Sequence, residues 1–305
     1  MKVSVIVSAF NAADILPTTL PPLLDQDYPK EDLEIILVND ASTDSTSNII
    51  ASERWAEQCT VIHHEINLGR SATRNSGLRA TKGDLLIFLD CDIEVPSGFI
   101  SNHVKRHKDR KIIGLLSNLQ PAVPPTGKYY RYLFYGRRGA KIIGGARPLP
   151  YRYFILTATS IKRSALEKTG EFKEDLSGYG IDLHYAYRLW RSFPDNLFFA
   201  PEIPVRQHKL KPLPEALTDF RDYGIRNLPV ILGDYPELGK DLGANYVSGG
   251  ILKVLLGRMI FNPVVRSALV LANALLPSPL CNPFIRYRMI DALISGYRAS
   301  RTRSV

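Results

Sequence analysis

Gly83-Asp84-Leu85-Leu86-Ile87-Phe88-Leu89-Asp90-Cys91-Asp92 sets five apolar residues directly before two carboxylates one residue apart. A short unbroken apolar run after a turn residue reads as a strand covered on both faces, the habit of parallel sheets. Side chains at i and i+2 of a strand share a face, so Asp90 and Asp92 aim together beyond the strand's carboxyl end. Two carboxylates so close repel, and a cation between them relieves the repulsion. The plainer alternative is two solvated acids in a turn, which is common for an isolated Asp-x-Asp. The buried strand before this pair and the segments upstream of it weigh against that alternative.

Those upstream segments alternate in period. Residues 2–11 form a β-branched run ending Ser8-Ala9-Phe10-Asn11, a first strand. Ile15, Leu16, Leu20, Leu23 and Leu24 keep helical spacing, with Pro17, Pro21 and Pro22 blurring the start. Residues 33–40 are a second strand ending in Asp40, and Ser42, Thr43 and Asp44 offer caps for a helix through about Trp55. A short third strand over 60–64 and a helix over 71–80 precede the opening stretch. Strand-helix alternation at this interval gives an open, mostly parallel sheet with helices on both faces. Ligands of such sheets bind outside the strands' carboxyl ends, which gathers Ser8–Asn11, Asn39-Asp40 and Asp90–Asp92 at one edge. No Gly-x-Gly-x-x-Gly follows the first strand, which argues against a dinucleotide dehydrogenase.

Length and charge bound the rest. A chain of 305 residues, 45% hydrophobic and 23% charged, holds a sizeable core in one or two domains. Cys59, Cys91 and Cys281 are odd in number and lack metal-ligand spacing, which fits a reducing compartment and excludes a disulfide framework. The apolar run over 3–9 is too short for a secretory signal. The net charge of +9 is concentrated: residues 128–163 carry nine Lys/Arg and no acid, and residues 250–305 carry eight against Asp291 alone. The remainder is acidic, so an anionic partner is expected at the basic stretches. No nucleic-acid motif accompanies them, and nucleic acid is not expected as a partner.

Val7-Ser8-Ala9-Phe10-Asn11, Val38-Asn39-Asp40-Ala41-Ser42-Thr43-Asp44, Asn67-Leu68-Gly69 through Ala72-Thr73-Arg74-Asn75, and Asp90-Cys91-Asp92 resemble, in order, the signatures of family 2 glycosyltransferases. The resemblance is dense over residues 3–95 and thinner over 170–210. It implies the GT-A type of α/β fold and inverting transfer from a nucleotide-sugar donor, a UDP-sugar being favoured. It further implies a divalent cation, Mn2+ or Mg2+, held by Asp90 and Asp92. Donor contacts would fall to Ser8, Phe10, Asn11, Asp40, Arg74 and Asp90. Read physically, Asp40 is an acceptor for a base or ribose edge, or else a cap of the following helix. Arg74 lies one turn after Arg70, so both can share a face and a diphosphate nearby would welcome one of them; the alternative for Arg70 is a solvated helix face. Cys91 reads as a small filler, since no base is paired with it.

The second half carries three further features. Residues 96–111 read as a helix, 112–116 as a strand, and 127–152 interleave tyrosines with basic residues, either a functional loop or a helix packed on the sheet. The stretch from Phe172 to Leu189 resembles the family's acceptor segment, with Ile181 where Glu is common; it implies Asp182 as the catalytic base, against the alternative of a helix cap. His208 resembles the family's third metal ligand, against a lone surface histidine. Beyond residue 211 the chain turns apolar but proline-broken, with only about ten good helical residues where a spanning helix needs about 20. Flanked by Arg286, Arg288, Arg298, Arg301 and Arg303, it fits helices lying in a membrane interface, or else a hairpin on the sheet or a dimer contact.

The expectation is therefore a transferase domain over 1–215, with a donor-binding half (1–95) and an acceptor half (96–215), and a helical, membrane-associated extension over 216–305. It would sit peripherally on the cytoplasmic face of a membrane, its anionic surface a partner, and act on a glycan or lipid-linked acceptor. Two rivals stand beside it. A sugar-phosphate nucleotidyltransferase would want a Gly-rich basic loop after the first strand, which residues 8–13 lack. A non-catalytic scaffold would not need Asp40, Asp90, Asp92 and Asp182 together.

Overall fold

The computed structural model describes residues 1–135 and 138–302; Arg137 and Arg303, counted above in the basic stretches, lie outside the described residues. The chain runs β1 (Val3–Ala9), α1 (Leu16–Leu24), β2 (Leu33–Asn39), α2 (Thr46–Ser52), β3 (Thr60–His63), α3 (Gly69–Ala80), β4 (Leu85–Asp90) and β5 (Ile93–Glu94). It continues α4 (Phe99–His107), β6 (Gly114–Pro121), α5 (Lys128–Phe134), α6 (Ala140–Ile143), β7 (Ala158–Lys162), α7 (Arg163–Thr169), α8 (Ile181–Ser192) and β8 (Leu197–Gln207). The remainder is helical: α9 (Leu213–Asp222), α10 (Leu228–Asp234), α11 (Asn245–Ser248), α12 (Ile251–Ile260), α13 (Pro263–Leu275) and α14 (Asn282–Thr302).

Two compact units result. The first comprises Met1–Pro124, Arg137–Asp175 and Asp182–Lys209, and the second Pro125–Gly136, Leu176–Ile181 and Leu210–Val305. The second unit thus begins near residue 210 and draws in two earlier segments, where the sequence alone placed one cut after residue 215. Within the first unit the strands form one sheet of order β3-β2-β1-β4-β7-β6-β8-β5. It is mostly parallel as expected, with β7 antiparallel to both β4 and β6, and β5 antiparallel to β8.

Side-chain alternation assigns the two faces. Val5, Val7, Leu37, Ile87 and Leu89 share one buried core with Leu16 and Leu20 of α1 and Phe99 and Ile100 of α4. The opposite face carries α3 and α8. Gly77 of α3 lies so close to β1 that an added Cβ would come within 2.4 Å of Ile6 Cγ2. Phe88 of β4 meets Phe172 edge-on at 5.2 Å, and Phe172 stacks on Tyr185 of α8 at 4.2 Å. Helix α4 is anchored by a buried polar network: His103 bonds Ser160 and Ser117 at 2.7 and 2.8 Å, and His107 bonds Ser160 at 2.7 Å. Several helices are shorter than the sequence pattern indicates. Helix α2 begins at Thr46, because Asp44 and Asn11 use the residues before it as a turn, and α4 spans only Phe99–His107.

In the second unit, α14 packs against α9 and the π-helical turn after it through bare backbone. A Cβ at Gly296 would meet Arg221 O at 2.0 Å, and one at Gly224 would meet Leu293 O at 2.1 Å. Part of the tyrosine-rich stretch is a helix here: Tyr132 of α5 is buried with Cys281, Ile285 and Met289. Buried Asn227 holds the 176–181 segment, donating to Ser177 O at 2.5 Å and Tyr179 O at 2.6 Å. No single helix among the described residues is long and apolar enough to cross a membrane; α12 and α13, bent by 47° at their junction, pass that test only together.

Candidate active site

Register levels the strand ends. Ser8 pairs with Val38 on one side and Asp90 on the other, and Ala9 pairs with Asn39, so Phe10, Asp40 and Asp90 emerge at one edge. The chain turns sharply there: Asn11 and Ala41 have φ of 49° and 53°, a region that side-chain-bearing residues seldom adopt. Asn11 fastens the two turns together. Its Oδ1 accepts from Thr43 N at 2.9 Å, and its own N–H donates to Ser42 Oγ at 2.9 Å. Phe10 between these turns is about half exposed, an aromatic ring open to solvent beside the strand ends.

Asp40 does cap a helix, though α3 and not the following α2. Its Oδ1 accepts from Leu68 N and its Oδ2 from Gly69 N, both at 2.9 Å, which meets two of the orphan donors at the start of α3. His64 Nδ1 lies 2.7 Å from Oδ1 of the buried Asp40. The Asp40 carboxylate therefore shapes the Asn67-Leu68-Gly69 loop beside the strand ends.

Arg74 occupies the centre. It is 1% exposed, and its guanidinium joins three groups. Nη1 donates to Asp182 Oδ1 at 2.7 Å; Nη2 donates to Asp90 Oδ1 at 3.4 Å and to Leu156 O at 3.3 Å. The sequence placed Arg74 beside a diphosphate; in the structure it lies beneath the acids and links them. Small neighbours on α3 (Ser71, Ala72, Thr73, Asn75, Gly77) bury that face, a pattern that marks Arg74 as interior and that residue-type reasoning overlooked.

Asp182 begins α8 at this point. Besides Arg74 it accepts Leu156 N–H at 3.1 Å on Oδ2, and Asp90 N–H donates to Thr157 O at 2.9 Å. The segment leading into β7 thus holds both acids from the side. Burial pushes the Asp182 carboxyl up, but the Arg74 and Arg70 charges outweigh it and hold the group below the ordinary aspartate value. Asp182 is therefore a carboxylate at neutral pH.

Asp92 has the opposite balance. Burial first, and the Asp90 charge second, push its carboxyl up to about 6, against the pull of a hydrogen bond from Gln207 Nε2 at 3.1 Å. Burial and the neighbouring Asp90 charge together disfavour a bare Asp92 carboxylate. A hard cation fits such a pair, since Mg2+ takes one or two carboxylates and completes its shell with phosphate and water. The three-ligand set expected from the sequence is not assembled. His208 donates its backbone N–H to Asp92 O at 3.0 Å, but its ring turns to Glu94, with Nε2 2.7 Å from Oε2. Among the described residues no three of His, Cys, Asp and Glu converge on one point. Cys91 is inert, its thiol pushed up to about 12 by burial and then by Asp92 and Asp90. Lys209, which sequence reasoning passed over, reaches across to Asp14 Oδ1 at 2.7 Å and Asn11 O at 3.3 Å.

This architecture is shared with solved sugar transferases. The mannosyltransferase PcManGT from Pyrobaculum calidifontis superposes with a TM-score of 0.61 over 96% of this chain and 87% of that one, at 19% identity. TarS residues 1–349 from S. aureus give 0.58 over 99% and 92%, at 17% identity. These likenesses define a GT-A fold. Residues 4–170 match the family described as glycosyl transferase family 2, and the chain belongs to that family. Among curated relatives, a poly(ribitol-phosphate) beta-glucosyltransferase of Bacillus spizizenii is 37% identical over 94 residues, covering 30% of this chain and 15% of that protein. The glycosyltransferase YfnE of Bacillus subtilis is 26% identical over 205 residues, 64% of this chain and 52% of that one. The chain spans about half or less of the length of these relatives.

Proposed function

We propose that this glycosyltransferase inverts the anomeric centre as it moves a sugar from a nucleoside-diphosphate donor to a hydroxyl of a glycan or lipid-linked acceptor, with Asp182 as the general base. The observation that carries the reading is the single guanidinium of Arg74 joining Asp182 to Asp90. It brings the acid of the acceptor segment to the strand end where the donor's diphosphate is expected. Asp182, ionised and held at a fixed angle by Arg74 and Leu156 N–H, takes the proton of the acceptor hydroxyl as its oxygen attacks the anomeric carbon. The bond from that carbon to the diphosphate oxygen breaks on the opposite face, and the electron pair leaves with the nucleoside diphosphate.

Asp90 and Asp92 would hold Mn2+ or Mg2+, which when bound offsets charge on the leaving diphosphate. Ser8, Phe10 and Asn11 border the place for the nucleoside, where the exposed Phe10 ring offers a stacking face. The Asp40-capped loop closes the same side. Support for a UDP-sugar donor comes from TarS, solved with UDP and with UDP-GlcNAc; PcManGT was solved with GDP-Man and Mn2+. Relatives named for poly(ribitol-phosphate) support a phosphate-bearing polymer as acceptor, which suits the acid-free basic stretch over 128–163. A melting-temperature screen of UDP-, GDP- and dTDP-sugars with and without Mn2+ tests the donor assignment, because a ligand of the folded state must raise the transition. A metal-dependent rise with UDP-sugars is expected; no rise with any of them would refute the assignment.

A further inference from the structure

The strongest feature outside the active site is an uncovered apolar face on α12 and α13. Ten of the nineteen exposed large apolar side chains among the described residues fall within residues 251–280. Ile251 is 82% exposed, Leu252 81% and Val264 78%, and α13 has no buried residue along its whole length. A soluble monomer seldom leaves more than a few hundred Å² of contiguous apolar surface to water.

The helices are nonetheless firmly built into their unit. Lys128 Nζ donates to Asn273 O and Ala274 O at 2.9 and 2.7 Å, which satisfies carbonyls at the end of α13. Tyr287 OH donates to Ile260 O at 2.8 Å, and Arg298 Nη1 to Phe261 O at 2.7 Å, at the end of α12. Asn262 caps α13 through Val264 N and Val265 N. Backbone ends are tied down while the apolar flank is left bare, so the face is a formed surface and not a frayed segment.

Its charge selects the occupant. Lys253 and Arg258 stand exposed beside the apolar residues on α12, and Arg286 and Arg288 follow on α14. The one acid of this region, Asp291, is buried against Arg266, with Nε to Oδ2 at 2.5 Å. A second copy laid on this face would set cations against cations, whereas an anionic lipid surface complements them. Depth follows from length. At about 1.5 Å rise per residue, α12 and α13 reach roughly 15 and 20 Å, each short of the ~30 Å hydrocarbon core, and the 47° bend between them keeps the pair from forming one straight span.

We propose that the bent α12–α13 pair seats this protein on an anionic phospholipid bilayer, its apolar face sunk to the headgroup–acyl boundary and Lys253 and Arg258 at the phosphates. The inference is independent of the sugar-transfer reading, since lipid binding needs neither donor nor metal. The test is flotation of the full chain with vesicles of phosphatidylcholine alone and of phosphatidylcholine with about a third phosphatidylglycerol. The protein should float with the anionic vesicles and be partly released by high salt. Lys253→Gln with Arg258→Gln should weaken that binding by about thirtyfold and leave neutral vesicles indifferent. Leu252→Glu with Met259→Glu, both at exposed positions, should weaken it by roughly a hundredfold with an unchanged melting temperature. In the Leu255→Trp variant, the added fluorescence should be quenched more by lipid brominated near the headgroup than near the chain ends. Failure to float with anionic vesicles, or equal flotation of the Glu variant, would overturn the proposal. So would a lipid-free dimer that the same Glu substitutions dissociate, or quenching strongest at the bilayer centre.

Discussion

Arg74→Met exchanges the central guanidinium for an apolar chain of similar length. It removes the hydrogen bonds to Asp182, Asp90 and Leu156 O and leaves two carboxylates facing each other without their shared cation. Breaking a buried ion pair by deleting one partner costs about 3–5 kcal/mol, because the other charge stays behind unpaired. Asp182 and Asp90 retain 22% and 19% side-chain exposure, so water recovers part of that loss. The expected destabilisation is therefore nearer to 3 kcal/mol, roughly 6–12 °C in melting temperature for a unit of this size. Direct interaction is separated from general disruption by a double-mutant cycle with Asp182→Asn. Because Nη1 and Oδ1 are in hydrogen-bonding contact, a coupling of at least about 1 kcal/mol is expected in equilibrium denaturation. A cycle that closes to within experimental error of zero, or an Arg74→Met protein as stable as the parent, would show that the guanidinium does not hold the two acids together.

Three other outcomes follow from the same geometry. Burial holds His103 and His107 down at about 3 and 4, below the ordinary value of 6.5, so each contributes stability above pH 6.5 that is lost as pH falls toward 4. That loss is worth about 3 kcal/mol for each histidine by pH 4; denaturation midpoints of His103→Asn and of the parent should converge on acidification, and parallel curves would exclude the mechanism. Gly296→Ala should destabilise the C-terminal unit by about 1–3 kcal/mol through overpacking against Arg221 O, and an unchanged thermal transition would contradict the close approach. Asp92→Asn should abolish metal-dependent donor binding in calorimetry while the melting temperature holds; donor affinity equal with and without metal in both proteins would remove Asp92 from the site.

Period and termini made much of this legible in the chain. Alternation of 33–40, 71–80 and 85–90 fixes the parallel half of the sheet, because buried strands and amphipathic helices leave separate patterns. Asp90, Asp92 and Asp40 were visible as acids at strand ends. The antiparallel insertion of β7 was not, since residues 158–162 carry no pattern that states which strand they join. The burial of Arg74 is hard to read in the chain because an arginine is ordinarily a surface group, and only its small neighbours betray it. His208 was assigned by position in the chain, whereas its ring orientation depends on Glu94, which no local pattern ties to it. The bare flank of α12–α13 was foreshadowed by composition, but its exposure is a tertiary fact.

The assignment of Asp182 as base is tested most directly by comparing donor binding with transfer in Asp182→Asn. Asparagine keeps the shape, can still accept from Leu156 N–H, and begins a helix as well as aspartate does. Proton acceptance is lost, together with the negative charge that pairs with Arg74. Calorimetry should give the parent's affinity for the UDP-sugar and metal, while turnover under single-turnover conditions falls by about 10²–10⁴. Transfer by the Asn variant at near the parent's rate would contradict the account and leave Asp182 a structural partner of Arg74.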